Sequence, residues 1–292
     1  PHIGTDRLPQ AVKNIREKII SLGGEVHFET ALKKIKVKNN KITGITVQPQ
    51  NGGEYDIDTD RLVLAIGHSA RDTFEMIYSL GIKMEQKPFS VGARIEHPQN
   101  LIDVSQYGKF AGNHNLGAAD YKLAVHLKSG RGVYTFCMCP GGSVVAAASE
   151  SGRLVTNGMS NFARDGMNAN SALLVGVGPN DFGSEHPLAG VEFQRKLEKA
   201  AFELGGGNYF APVQRVEDFL NFSPSKNIGS VKPTYCPGIT PCSLDDCLPD
   251  FITNSMREGI PLMDRKLKGF SYPDAVLTAV ESRSSSPVRI MR

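Results

Sequence analysis

The stretch DRLVLAIGHSARDTF, residues 60–74, decides how the chain is read. Leu62 to Ala65 are apolar, run into Ile66-Gly67, and break into the polar pair His68-Ser69. An apolar run without alternation predicts a strand buried on both faces, as in the centre of a parallel sheet. Ser69 with Asp72 three residues on has capping-box spacing, so a helix is predicted over about 70–80, ending near Gly81. The glycine at this handover has two readings. It is an ordinary turn, or it leaves the main chain bare, without a Cβ, where a ligand lies. Open α/β sheets bind ligands at the carboxyl ends of their strands, and the N–H groups of a following helix suit an anion.

Upstream, Leu8, Ala11, Val12, Ile15, Ile19 and Leu22 recur at helical spacing. Thr5 is the expected N-cap, Asp6 suits the positive helix end, and Pro9 is tolerated in the first turn. Gly23-Gly24 ends the helix. EVHFET (25–30) alternates as a strand. ALKKIKVK and KITGITVQP form a hairpin around Asn39-Asn40, and NGGEYDI adds a turn and a short third strand. The lysines of LKKIKVKNNK mark the wet face of an edge strand, where they discourage edge pairing.

From about residue 84 the texture changes to Gly, Pro, Asn and Ser with short strands such as SVGARIEHP and VYTFCMCPGGSVVAAASE. Helices are predicted over GVEFQRKLEKAAFELGGG and near 248–257. The tail, DAVLTAVESRSSSPVRIMR, is an apolar stretch followed by a serine cluster.

Composition narrows the class. Of 292 residues, 40% are hydrophobic, enough to bury a core, and the net charge of +3 comes from scattered lysines. Nucleic-acid binding usually needs a concentrated basic face, so no such partner is expected. No apolar run approaches the roughly 20 residues of a membrane span. No signal peptide is visible, and five cysteines, an odd number, fit a reducing cytoplasm. The start without methionine and the abrupt end lead us to expect a piece of a longer protein.

Three constellations carry candidate chemistry. Cys137 and Cys139 lie two apart, so on a strand they share a face, either as small buried hydrophobes or as a redox pair. A zinc site adding Cys236, Cys242 or Cys247 lacks the usual C-x2-C knuckle, so no metal is expected. Arg94 and Glu96 share one strand face, with His97 on the other. Arg94 either clamps a substrate carboxylate or pairs with Glu96 on a wet surface. His68 either closes a turn or sits beside a cofactor.

The segments PHIGTDRL, LAIGHSARDTFEM, KPFSVGARIEHPQ, YTFCMCPGG, NGMS, NANSALLV and ESRSSSPVRI together resemble a bacterial group labelled uncharacterised FAD-dependent, or NAD(FAD)-utilising, dehydrogenases. These are two-dinucleotide-fold flavoproteins, and the likeness spans nearly the whole chain. It implies a fold both α/β and α+β: a partial FAD-binding, Rossmann-like domain with an inserted, mixed β-rich substrate domain. The expected boundaries are 1–83 for the partial FAD domain, 84–274 for the insertion, and 275–292 for the return segment. The resemblance puts the backbone of Leu32 toward the adenine, and Ala65, Ile66 and Gly67 in the second FAD motif. Flavoproteins more widely carry Thr where Ile66 stands, so only backbone contacts transfer. Arg283, Ser284, Ser285 and Ser286 match the segment that returns toward the flavin, by hydrogen bonds to it or as a capped turn.

The implied activity is hydride or electron transfer between FAD and a small substrate, with NAD(P)H a candidate electron source. Both Gly-rich FAD segments of that group are missing here, so this chain alone is not expected to retain FAD. Two rivals stand beside this reading: a non-catalytic flavin- or ligand-binding module, and a thiol-dependent redox protein using Cys137 and Cys139.

Overall fold

The computed structural model describes residues 2–291. Helix α1 (Leu8–Ser21) leads, with Pro9 in its first turn. Thr5 is not its cap: the cap position is Arg7, and the Thr5 hydroxyl donates instead to the Ser160 carbonyl at 3.1 Å. Asp6 accepts from the Phe162 N–H at 2.8 Å, and Arg7 lies over the Phe162 ring. These residues tie the start of α1 to a distant hairpin. The apolar stripe of α1 is uncovered, with Val12 55% and Ile15 62% exposed.

The predicted strand 25–30 is absent. Pairing begins only at Thr30, opposite Pro49, and the residues before it have no ladder partner. From there β1 (Thr30–Lys38), β2 (Lys41–Pro49) and β3 (Tyr55–Ile57) form the expected antiparallel meander, with β1 at its edge. Asn39 and Asn40 both take positive φ, the mirror-image turn that matches strand twist.

Residues 61–67 correct the sequence reading most sharply. They join no sheet among the described residues, and they are not buried on both faces. Burial alternates: Leu64 and Ile66 pack inward, while Val63 is 89% exposed. The apolar run that reads as a doubly buried strand has a core on one side only. Helix α2 (Arg71–Ser79) follows within the predicted bounds, but without a capping box. Ser69 accepts from Arg283 at 3.0 Å, and Asp72 accepts from the neighbouring Thr73 N–H. Strand β4 (Met84–Gln86) then brings the chain to a cluster of Phe74, Ile77, Met84, Leu188, Val191 and Val288.

The rest is built on β5 (Phe89–Pro98). It is followed by α3 (Gln99–Tyr107), β6 (Ala124–His126), β7 (Gly132–Cys139), β8 (Gly142–Ala146), β9 (Thr156–Ser160) and β10 (Asn168–Val177). Then come α4 (Ala189–Leu204), β11 (Ala211–Arg215), α5 (Val216–Leu220), β12 (Ile239–Pro241), α6 (Asp250–Asp264), β13 (Val276–Glu281) and β14 (Val288–Ile290), which pairs with β4. Seven strands form one sheet in the order β12-β11-β13-β5-β10-β7-β6. All its neighbours are antiparallel except β11 and β12, so the expected central parallel sheet gives way to a mixed one.

Strands β5 and β10 pair over their full lengths, from Phe89↔Val177 to Pro98↔Asn168. One face of this pair, with Val91, Ala93, Ile95, Leu173 and Val175, joins Ile252, Met256 and Ile260 of α6 in the main core. Each fully buried Val, Leu, Ile or Met side chain among them contributes about 1.5–3 kcal/mol. The other face carries Ser90, Arg94, Glu96 and Asn170. The β8–β9 hairpin covers part of it, so these polar groups are buried as well.

Candidate functional site

The polar face and the 61–71 segment meet at one corner. Gly67 has φ of 68°, in the left-handed region, and a Cβ there would meet nothing within 4 Å. A non-glycine residue would cost roughly 1–2 kcal/mol in this conformation, and the space above the backbone is open. Next to it, His68 is half-buried and its Nδ1 is buried without a hydrogen-bond partner. Burial, then the charges of Arg283, Arg71 and Lys87, push its pKa below the usual histidine range. The ring is therefore neutral at neutral pH.

Behind the corner lies an ion network centred on α4. Glu198, fully buried, accepts from Arg71 Nη2 at 2.7 Å, from Arg283 Nε and Nη2 at 3.0 Å each, and from the Ser282 hydroxyl at 2.7 Å. Gln194 bridges the same groups, accepting from Arg71 and donating to the Ser282 carbonyl. Glu150 joins Arg71 to Arg195 and Arg153. Burial works to raise the pKa of Glu198, but its arginine bonds outweigh it and hold the carboxyl below its ordinary value. The same contest leaves Glu150 at about 2. The network clamps 69–71, 149–153, α4 and 282–283 together, which fixes the corner's geometry.

The serine segment borders the corner. Ser284 accepts from the Ser90 N–H at 3.1 Å and donates to the Ser90 carbonyl at 2.8 Å. Ser285 accepts from Lys87 Nζ at 3.0 Å. Ser286 closes a local turn with Val288. Beyond Ser284 and Ser285 opens a cleft of about 760 Å3 on the polar face of the main sheet. The structure thus brings His68 and Ser69 to Arg283, the residue before Ser284 and Ser285, with Gly67 one residue before His68. Ala65 is exposed, the Ile66 side chain turns into the apolar cluster, and Leu32 is half-buried on β1, outside both the network and that cluster.

Arg94 departs from both sequence readings. It is fully buried, so it lies on no wet surface, and its ion-pair partner is Glu281, not Glu96. Its guanidinium also donates to Asn170 Oδ1 and to the Cys137 carbonyl at 2.9 Å. These bonds occupy the guanidinium and leave it no open side for a substrate carboxylate, so it supports the sheet. Glu96 is likewise buried, held by Asn168 and Thr234.

Cys137 and Cys139 do not share a face. A bulge opposite Asn170–Ala172 leaves Cys137 exposed, with φ of 46°, while Cys139 is buried. All five cysteines are free thiols. A hydrogen bond from Cys139 and the nearby Arg94 pull the Cys137 thiol below the usual range. Among the described residues no group of three His, Cys, Asp or Glu side chains is placed to hold a metal.

Sequence reasoning missed Glu198, Arg71 and Lys87. A signal for Glu198 was present: Gln194 and Glu198 interrupt the stripe Val191, Leu197, Ala201 of α4, and a polar residue in a buried stripe needs a partner. Lys87 gave none, because its role depends on a serine almost two hundred residues away.

By fold, this is a mixed α/β protein built on one seven-stranded sheet. Residues 88–284 match the family described as "FAD-dependent protein, C-terminal domain-like", and the chain belongs to that family. The match covers β5 to β13 and the serine segment as far as Ser284. The chain is also 53% identical, over all 292 residues, to an uncharacterised protein of Clostridium beijerinckii. It spans 54% of that relative, about half its length. No helix among the described residues is long and apolar enough to cross a membrane.

Proposed function

We propose that the chain is a piece of a FAD-dependent oxidoreductase, carrying part of its FAD-binding domain and the substrate domain inserted in it. Residues 1–83 and 275–292 would belong to the FAD-binding domain, and 84–274 would form the inserted domain. The observation that carries this is the open, left-handed Gly67, two residues before the Ser69 that Arg283 bonds, at the end of a segment that lacks sheet neighbours. The uncovered stripe of α1 and the exposed Val63 support a missing layer, as does the twofold length of the relative.

The corner's residues fit the cofactor. Gly67 offers bare backbone, and the orphaned His68 Nδ1 is a buried polar atom that wants a partner. Ala65 to Gly67 would lie along FAD, with the backbone of Leu32 toward its adenine, and Arg283 to Ser285 would supply hydrogen-bond donors. Ser286 would set the turn that aims them. FAD, when bound, supplies the hydride or electron chemistry, with NAD(P)H a possible donor in solution. The protein's part is to bind, orient and exclude water. We infer a small-molecule substrate, no nucleic-acid or membrane partner, and a reducing cytoplasm, consistent with five free thiols.

The test is the open reading frame that carries this chain, purified at full length. Gly67→Val is expected to remove most bound flavin, because the side chain enters the open space and the backbone resists the change. Full retention of flavin in that variant would move the site elsewhere.

One observation favours a second reading, thiol-based redox chemistry: Cys137 is exposed and its thiol is acidified. We expect Cys137→Ser to leave the rate of flavin reduction in the full-length protein unchanged. A large drop would favour the thiol reading.

A further inference from the structure

We infer that the 760 Å3 cleft beside the serine segment binds the substrate, and that this substrate is flat and carries one anionic group such as a carboxylate. The word substrate rests on the flavin reading above; the ligand's chemical class rests on the cleft and on Lys87, which stands outside its lining and bonds Ser285 at its edge. Its volume lies within the roughly 300–1,000 Å3 of small-molecule sites.

The floor argues for a flat ligand. Gly176 lies in β10, near the middle of the sheet, directly opposite Ser90 of β5. Its φ is not left-handed, and a Cβ there would meet nothing within 4 Å. Neither backbone geometry nor crowding calls for glycine, and glycine weakens a strand interior. What glycine provides is a bare patch of sheet. Tyr134 and Phe136 stand on β7 along its side. The Tyr134 hydroxyl donates to Ser90 at 2.7 Å, which fixes that ring, and Phe136 stays 46% exposed despite its place on the sheet. Bare backbone edged by aromatic rings suits a planar body.

The charge argues for an anion. Arg131 in the cleft wall is matched by Asp181 at 2.6 Å. Lys87 is not matched. It is half-buried, its Nζ bonds Ser285 at the cleft's edge, and no acid pairs with it among the described residues. A partly desolvated ammonium bonded only to a hydroxyl gains from an arriving carboxylate.

The full-length protein can be titrated with benzoate and with benzamide, which has the same shape and no charge, while backbone amide NMR shifts are followed. Benzoate is expected to move the Gly176 and Ser285 signals and to bind about tenfold tighter than benzamide. Lys87→Met should erase that preference. Gly176→Val, a side chain strands favour, should abolish both interactions while the chain stays folded. Equal affinity for the two probes, no movement of those signals, or undiminished benzoate binding to Gly176→Val would overturn the inference. Gly176→Val in the full-length protein should keep its flavin; loss of flavin there would mean the cleft houses the cofactor, and the inference fails. A colourless full-length wild type would instead remove the flavin reading and leave the benzoate result standing.

Discussion

Glu198→Ala is expected to lower unfolding stability by about 3–5 kcal/mol, the usual cost of removing one partner from a buried ion pair. Arg71 and Arg283 both lose their main counter-charge, and Arg71, 2% exposed, cannot regain water. Neither can shed its proton to escape the cost, because guanidinium stays charged throughout the accessible pH range. Glu150 still pairs with Arg71, which keeps the loss from being larger. Urea unfolding monitored by circular dichroism measures the change. A loss under about 1 kcal/mol would mean the network does not clamp the corner. The same carboxylates give stability a falling acid limb. Their folded pKa values are depressed, so their contribution is complete above the ordinary carboxylate range and disappears as pH drops, toward about 2 for Glu150.

Glu281→Gln is expected to change the slope of stability against pH in the opposite sense. Burial raises the folded pKa of Glu281 to about 7, despite the opposing pull of Arg94. Below the ordinary value of 4.5, folded and unfolded chains both carry the proton. Between there and about 7 the unfolded chain releases it while the folded chain keeps it, so stability falls as pH rises. Above that range both forms are ionised and the loss is complete. The interval corresponds to about 3 kcal/mol. The glutamine variant should therefore gain on the wild type by about that amount from pH 4 to pH 8, roughly following the interval. Buried Glu96 is also shifted upward, so the difference between the two curves, not either curve alone, is the readout. Parallel curves would contradict the burial of an ionisable Glu281.

Local features were legible in the sequence for local reasons. The Asn39-Asn40 hairpin, the helix over 189–204 and the β5 strand depend on turn chemistry and periodicity, and all three stand where expected. Residues 62–66 misled because an apolar run reports hydrophobicity, whereas a strand needs neighbours, and none pairs with it among the described residues. Arg94 misled in the opposite way. Alternation along β5 implied a wet face, but the β8–β9 hairpin folds over it, a tertiary event that residues 89–98 do not encode. At the corner, Gly67 stood out by its place after an apolar run, Arg283 to Ser285 came from resemblance, Glu198 left only the signal of a polar residue in a buried stripe, and Lys87 became visible only when distant segments met.

The corner at Gly67 is expected to be a flavin site, and visible absorbance of the purified full-length protein tests that most directly. Close to one bound flavin per protein, largely lost in Gly67→Val, is the expected result. A colourless full-length protein that takes up no added FAD would contradict it.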